Sequence, residues 1–182
     1  MRDLSAARQG PYVAASPLVR PLSPMTRLLL RGGADARAAA LAALGLPFTD
    51  TACRAVCASG RAGLWLGPDE RLLLAPQSQL MELSERLSAA LAGRAHSLVD
   101  VTHRQCALEV SGPQAGVLLN CGCPLDLDPS AFPVGMCTRT VLAKAEIVLW
   151  RTGEHSFHLE VWRSFAAYVS KVLAQAAREL TA

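Results

Sequence analysis

Residues 100–162 decide the fold, with the sequence DVTHRQCALEVSGPQAGVLLNCGCPLDLDPSAFPVGMCTRTVLAKAEIVLWRTGEHSFHLEVW. Within this stretch, Gln105–Ser111 places an apolar side chain at every second position, which predicts a strand with one buried face. Gly112 and Pro113 then open a helix that extends to about residue 121. The other predicted elements are strands at residues 137–143, 146–151 and 155–161, and a last helix at residues 164–180 with Tyr168, Val172 and Leu173 on its apolar face.

The first half of the chain repeats this order of elements. LWLGPDERLLLAP in the first half aligns with LWRTGEHSFHLEV in the second. We predict an α+β fold in which a β-α-β-β-β-α unit is internally duplicated, with helices packed on mostly antiparallel sheets. In the first half the predicted elements are strands at residues 26–31, 51–59, 63–66 and 71–75, and helices at residues 34–44 and 76–91. The expected organisation is an arm at residues 1–24, a first repeat at 25–95 and a second repeat at 96–182, as two lobes of one compact domain.

The arm is an extended, Pro-rich segment. Its four prolines recur without a helical or strand period, and proline also pushes the preceding residue into extended conformations. Leu18, Val19 and Leu22 give the arm apolar side chains that could be buried. Two interpretations stay open: a disordered tail, and a strap on a partner whose burial offsets the cost of ordering.

Composition narrows the class of protein. Apolar residues make up 51% of the chain and charged residues 18%, which is enough apolar material for a core. The net charge of +3 comes from scattered arginines, with Lys144 and Lys171 as the lysines, so it does not indicate a nucleic-acid-binding face. No apolar run is long enough to span a membrane and no secretory leader is recognisable, so we expect a cytoplasmic protein with six free thiols.

The best candidate for a site is the run Asp100-Val101-Thr102-His103-Arg104. On an extended chain Asp100 and His103 point to opposite sides, so only a turn could bring them together. The structural alternative is that Asp100 and Thr102 satisfy backbone groups where two strands connect. We favour this alternative, because no activated nucleophile is recognisable beside the pair.

Candidates for a metal site are weak. Cys121-Gly122-Cys123 has a possible ligand spacing, but His155 and His158 do not supply a convincing second pair. On the predicted strand, Cys53 and Cys57 would lie roughly 13 Å apart, too far to share a metal ion. The cysteines are more simply interpreted as small buried apolar residues.

The two carboxylates of PLDLDP, Asp126 and Asp128, could bind Ca²⁺ or act as an acid–base pair, and more simply they cap turns beside Pro124 and Pro129. No glycine-rich phosphate loop, GxSxG or HExxH motif occurs. From the residues alone we expect no catalytic, cofactor-binding or metal-binding residues in this chain.

Several long segments resemble the gamma subunits of heterotetrameric sarcosine oxidases. They are VDVTHRQCALEVSGP, GCPLDLDPSAFPVGMCTRT, LAKAEIVLWRTG and LEVWRSFAAYV, and the resemblance covers residues 64–179. It implies a cytoplasmic flavoenzyme of alpha, beta, gamma and delta subunits that oxidises sarcosine with O₂. The products are glycine, hydrogen peroxide and either formaldehyde or 5,10-methylenetetrahydrofolate.

The same resemblance implies which subunits bind the cofactors and the zinc ion. FAD, covalently bound FMN, NAD and tetrahydrofolate belong to the other subunits, and zinc belongs to delta. The implied role of a gamma chain is structural: it braces alpha, its main contact, and binds no cofactor itself.

A wider resemblance links DVTHRQCALEVSGPQAGVLL to the aminomethyltransferase (T-protein) superfamily and implies its duplicated folate-binding-domain fold. The Asn-Asp pair that carries a folate-contacting carboxylate in that family is replaced here by Cys121-Gly122-Cys123-Pro124. This resemblance leaves an alternative function open, a stand-alone folate-binding one-carbon protein with Asp100, His103 and Arg139 in its pocket. A third alternative is a thiol-rich regulatory domain.

Overall fold

The structure is a computed structural model that describes residues 16–180. Over this range the strands are β1 (Val19–Pro21), β2 (Met25–Gly32), β3 (Ala55–Ala58), β4 (Arg61–Gly67), β5 (Glu70–Pro76), β6 (His96–Asp100), β7 (Gln105–Ser111), β8 (Cys137–Leu142), β9 (Ala145–Gly153) and β10 (Ser156–Trp162). The helices are α1 (Ala34–Ala43), α2 (Leu80–Leu91), α3 (Ala115–Asn120) and α4 (Ala166–Leu180). Short 3₁₀ turns, Gln77–Gln79 and Arg163–Phe165, lead into α2 and α4.

The chain divides into two compact units. The first unit consists of Pro24–His103 and Gly135–Thr138. The second unit consists of Met1–Ser23, Arg104–Val134 and Arg139–Ala182. Its residues 1–15 and 181–182 lie outside the described part of the chain.

The first unit is a five-stranded sheet in the order β3-β4-β5-β2-β6, and its neighbouring strands are antiparallel. Helices α1 and α2 contribute to its core, since every third or fourth residue of α2 is apolar. The core residues are Leu28, Leu30, Ala36, Ala40, Leu41, Leu44, Leu46, Leu73, Ala75, Leu83, Leu87 and Leu91.

Helix α1 ends at the predicted stop. Gly45 has a φ of +72°, a conformation that glycine adopts without the penalty of a Cβ atom. Its N–H donates to the carbonyl of Ala42 at 2.9 Å, and the N–H of Leu46 donates to the carbonyl of Leu41 at 2.8 Å. These bonds satisfy carbonyls that the helix end would otherwise leave unpaired.

The second unit repeats this architecture with a sheet in the order β1-β7-β10-β9-β8. Phe157, Leu159 and Val161 of β10 are fully buried, as predicted, and His158 and Glu160 on the opposite face of the strand are buried as well. Helices α3 and α4 contribute the buried residues Ala115, Leu118, Leu119, Ala166, Val169, Leu173 and Ala174. The predicted duplicated α+β fold with antiparallel sheets is therefore confirmed.

In each unit, one edge strand of the sheet is formed by the segment that precedes the other unit in the chain. Strand β6 pairs with β2, although β7 follows it in the chain, and β1 pairs with β7, although β2 follows it. The units therefore divide between His103 and Arg104, whereas the sequence suggested residues 95 and 96. The cause is that His96–Asp100 forms its ladder with Met25–Gly32.

The described part of the arm is an edge strand. Val19 pairs with Val110 and Pro21 with Leu108, and Val19 is buried. Residues 1–15, which include Pro11, lie outside the described residues. Within residues 16–180 no helix has both the length and the hydrophobicity needed to cross a membrane.

Candidate functional site

The turn after β6 uses its polar side chains to hold the backbone. Oδ1 of Asp100 accepts a hydrogen bond from the N–H of Thr102 at 2.8 Å. The hydroxyl of buried Thr102 accepts from the N–H of Arg27 at 3.0 Å, and the N–H of Val101 donates to the carbonyl of Arg27 at 2.9 Å. This is the structural role that the sequence offered as the alternative to a catalytic one.

The three residues suggested for a folate-like pocket are divided between the units. Asp100 and His103 belong to the same turn of the first unit, and both are exposed. Arg139 is an exposed residue of β8 in the second unit. The pocket therefore stays a prediction.

Cys53 lies outside the strand that the sequence predicted for it. The predicted strand at residues 51–59 is wrong in its first part, since β3 begins at Ala55. Cys53 has a φ of +56°, which is incompatible with an extended strand. Its carbonyl accepts a 2.8 Å hydrogen bond from the N–H of Cys137, beside an isolated antiparallel bridge between Arg54 and Met136.

Cys137 is buried and protonated at neutral pH. Its thiol donates to the carbonyl of Trp65 at 3.6 Å. Burial raises the pKa of Cys137 to about 12, because the thiolate would lose its hydration. A thiol with such a pKa is a poor nucleophile and a poor metal ligand at neutral pH.

The other paired cysteines also lack the surroundings of a metal site. Cys121 is exposed and donates to the carbonyl of Val117 at 3.5 Å, whereas Cys123 is buried 3.8 Å from the hydroxyl of Thr140. All six cysteines of the chain carry free thiols. Among residues 16–180, no group of three or more His, Cys, Asp and Glu side chains is arranged to hold a metal ion.

Asp126 and Asp128 shape the loop before β8. Asp126 accepts from the N–H of Asp128 at 2.9 Å. Asp128 accepts from the hydroxyl of Ser130 at 2.6 Å and from its N–H at 2.9 Å, and these two bonds lower the pKa of the Asp128 carboxyl. Both carboxylates thus cap turns, as the simpler interpretation of PLDLDP held.

Arg151 anchors the same loop from β9 and is not among the residues singled out from the sequence. Its Nη1 donates to the carbonyls of Leu127 and Phe132 at 3.1 and 2.8 Å, and its Nε and Nη2 donate to the carbonyl of Glu154. The guanidinium carbon lies 5.0 Å from the centre of the Phe157 ring. The spacing from Ile147 and Leu149 puts Arg151 on the buried face, and this pattern could have identified it.

A second group of buried cations lies in the first unit. Arg37 and Arg71 are both buried, and both bind Oδ1 of the half-exposed Asp50, at 2.7 and 3.2 Å. Burial, together with the nearby charge of Arg37, lowers the pKa of Arg71, and Asp50 opposes this shift. Arg71 also donates to the carbonyl of Gly67 at 2.8 Å, so the group holds the turn before β5.

Strand β10 carries a buried, hydrogen-bonded pair of polar side chains, His158 and Glu160. Nε2 of His158 lies 2.8 Å from Oε1 of Glu160, and neither side chain is open to solvent. The Trp150 ring centre is 5.8 Å from that of His158. The sequence suggests His158 only as a weak candidate metal ligand and gives no sign of Glu160, which occupies a position where alternation predicts an outward-facing side chain.

Comparison with known proteins identifies the family of this chain. The profile of the "Sarcosine oxidase, gamma subunit family" matches residues 31–179, which is most of the chain. The chain belongs to the sarcosine oxidase gamma subunit family. The resemblance that was stated from the sequence is confirmed, and this match also covers part of the first repeat.

The chain is similar to individual known proteins over most of its length. The chain is 38% identical over 157 residues to a sarcosine oxidase subunit gamma of an Arthrobacter species, covering 85% of this chain and 76% of the relative. A chain of the heterotetrameric sarcosine oxidase of Corynebacterium sp. U-96, solved with pyrrole 2-carboxylate, superposes with a TM-score of 0.84 at 33% identity, covering 98% of this chain and 93% of that one.

The fold extends beyond the family to an aminomethyltransferase. The glycine cleavage system aminomethyltransferase T of Bartonella henselae matches with a TM-score of 0.65 at 14% identity, covering 88% of this chain and 48% of that one. This likeness confirms the predicted T-protein-like fold and shows nothing further.

The resemblance to the aminomethyltransferase superfamily stated from the sequence implies folate, and one feature of this chain does not fit that ligand. A pterin ring presents N–H donors that a carboxylate accepts well. At the end of α3 the chain places Asn120, whose amide nitrogen donates to the carbonyls of Cys123 and Leu125, followed by Cys121. No carboxylate stands in the segment that replaces the Asn-Asp pair.

Proposed function

We propose that this chain is the gamma subunit of a heterotetrameric sarcosine oxidase and that its role there is structural. The observation that carries the proposal is the likeness in both sequence and fold, over nearly the whole chain, to a chain of the Corynebacterium enzyme. The assembled enzyme would oxidise sarcosine with O₂ to glycine and hydrogen peroxide. The carbon removed would leave as formaldehyde or as 5,10-methylenetetrahydrofolate.

The chain's own contribution would be binding rather than chemistry. Oδ1 of Asp100 accepts a backbone hydrogen bond that holds a turn, and the raised pKa of Cys137 keeps its thiol protonated at neutral pH, where it is a poor nucleophile. The buried arginines support rigid loops by donating to carbonyl oxygens. Loops that are held in this way suit a subunit that braces a larger neighbour. We propose alpha as the main contact, with beta and delta in the same assembly.

The redox groups would then belong to other chains. FAD, FMN, NAD and tetrahydrofolate would be held by the larger subunits, and zinc by delta. The six free thiols are compatible with the reducing conditions of a cytoplasmic enzyme.

Co-purification from the native host tests the proposal. The chain would carry an affinity tag at its C-terminus, and the eluate would be examined for larger chains, flavin absorbance and sarcosine-dependent peroxide. We expect all three to be present in one complex. The tagged chain eluting alone, without flavin, would contradict the proposal.

The alternative one-carbon function is tested on the same purified chain. Calorimetric titration with tetrahydrofolate measures the affinity of the isolated subunit, and we expect no saturable heat. Tight binding by a colourless single chain would favour a folate-binding protein that uses Asp100, His103 and Arg139. The variants Asp100→Asn and Arg139→Met would then be expected to remove the binding.

A further inference from the structure

Three aromatic side chains form an exposed row where β10 leads into α4. Trp162, Phe165 and Tyr168 are 41%, 42% and 37% exposed. Trp162 ends β10, Phe165 ends the 3₁₀ turn that follows it, and Tyr168 lies in the first turn of α4. Phe165 and Tyr168 are three residues apart where the 3₁₀ turn continues into the helix, and residues at this spacing are neighbours on a helical surface. Trp162 precedes Phe165 by three residues.

Three cations accompany this row: Arg104 contacts Trp162, and Arg163 and Lys171 lie in the same segment of the chain. The guanidinium carbon of Arg104 lies 5.3 Å from the centre of the Trp162 ring, and the N–H of Arg163 donates to the carbonyl of Arg104 at 2.9 Å. Lys171 is exposed one turn beyond Tyr168. Within residues 16–180, none of these three cations has a carboxylate within ion-pair distance.

The row and its cations, here called the aromatic face (Trp162, Phe165, Tyr168, Arg104, Arg163 and Lys171), have the composition of a protein interface. Aromatic residues and arginine are enriched at the centres of interfaces and supply most of their binding energy. No core packing explains this exposure, because α4 buries its other side through Ala166, Val169 and Leu173. The rings are accordingly available for a partner.

The charge of the face decides the kind of partner. Residues 161–178 contain no Asp or Glu, and the cations of the face would repel one another if two copies of this chain met through it. We propose that the aromatic face docks onto another subunit of the oxidase, at an apolar pocket bordered by carboxylates. The inference rests on the proposed function and adds the surface through which this chain joins the complex.

Paired variants in the full complex test the surface. Phe165→Ser with Tyr168→Ser removes the exposed rings, and Met81→Ser with Val117→Ser is the control, since these residues are 74% and 56% exposed elsewhere. Each tagged chain is co-expressed with the other subunits, and the flavin absorbance that co-purifies is measured per tagged chain. We expect the first pair to lower it roughly tenfold or more, as the loss of central interface residues does, and the control to leave it unchanged.

A second pair tests the charge. Arg104→Glu with Lys171→Glu reverses two cations of the aromatic face, and Arg94→Glu with Lys144→Glu makes the same change of net charge elsewhere. We expect only the first pair to reduce assembly. Thermal unfolding of each free chain checks that the variants are folded.

The outcomes separate the two proposals. Wild-type chain that captures no flavin-containing subunits would contradict the proposed function. Wild-type chain that captures them, while folded aromatic-face variants capture them equally well, would overturn the inference and leave the proposed function standing. A free chain that is dimeric as wild type and monomeric after Phe165→Ser with Tyr168→Ser, with assembly intact, would assign the face to self-association and also overturn the inference.

Discussion

The guanidinium of Arg151 donates a 2.8 Å hydrogen bond to the carbonyl oxygen of Phe132, which lies 19 residues earlier in the chain. The same Nη1 reaches the carbonyl of Leu127 at 3.1 Å. One buried cation thus fixes two points of the loop that leads to β8, and that loop contains no helix or strand of its own. Hydrogen bonds from a charged donor are stronger than neutral ones, so the loop is held firmly without secondary structure.

Replacing Arg151 with methionine is expected to destabilise the chain by about 3 kcal/mol, because several buried carbonyls lose their donor and each unsatisfied group costs about 1–3 kcal/mol. Urea unfolding followed by circular dichroism measures the free energy of unfolding. Arg86→Met is the matched control, since Arg86 forms only an exposed ion pair with Glu82 one helical turn away. A loss for Arg151→Met no larger than that of the control would contradict the proposed anchoring role.

The periodicity of apolar residues was sufficient to predict most helices and strands. The alternation in Gln105–Ser111 and the Gly45 stop of α1 depend on local chemistry, and the sequence carries that chemistry directly. Tyr168 shows the limit of this approach. The sequence pattern places it on the buried face of the last helix, whereas the residues buried there are Ala166, Val169, Ser170, Leu173, Ala174, Ala176 and Ala177, and Tyr168 is exposed.

Partners that are distant in sequence could not be predicted in the same way. The apolar Val19 predicts that β1 is buried on one face, but it does not predict which strand lies beside it. The sequence therefore does not indicate that β1 pairs with β7 and not with β2. The backbone of Cys53, which has a positive φ, likewise accepts a hydrogen bond from Cys137, which is 84 positions away. Candidate catalytic residues could be named from their chemistry, but only the structure shows that the backbone engages Asp100 and Thr102.

The stability of the chain is expected to fall at high pH because of the raised pKa of Cys137. Its pKa is raised to about 12 in the folded chain from 9.0, so the folded state holds a proton that the unfolded state releases first. The stabilisation is complete below pH 9 and is lost as the pH rises from 9 towards 12, at roughly 1 kcal/mol per pH unit. Urea unfolding at pH 8.0 and pH 10.5 measures this slope.

The matched variant for that experiment is Cys137→Ala, in which the slope should become shallower than in the wild type. Cys57→Ala serves as the control, since Cys57 is exposed. Labelling with iodoacetamide at pH 8.0, read by mass spectrometry, should modify Cys57 and Cys121 quickly and leave Cys137 intact. Rapid labelling of Cys137 in the folded chain would show that its thiol is not protected.

Deleting residues 1–22 is expected to lower the melting temperature of the free chain, because β1 is part of the second unit's sheet. The deletion removes the ladder to β7, the hydrogen bond from the N–H of Ser111 to the carbonyl of Leu18, and the burial of Val19. These contacts are worth about 3 kcal/mol, or a shift of roughly 5–10 °C. Deleting residues 1–15 keeps all of them and is the control. Equal melting temperatures for the two deletions, measured by differential scanning calorimetry, would show that β1 adds nothing to the stability of its sheet.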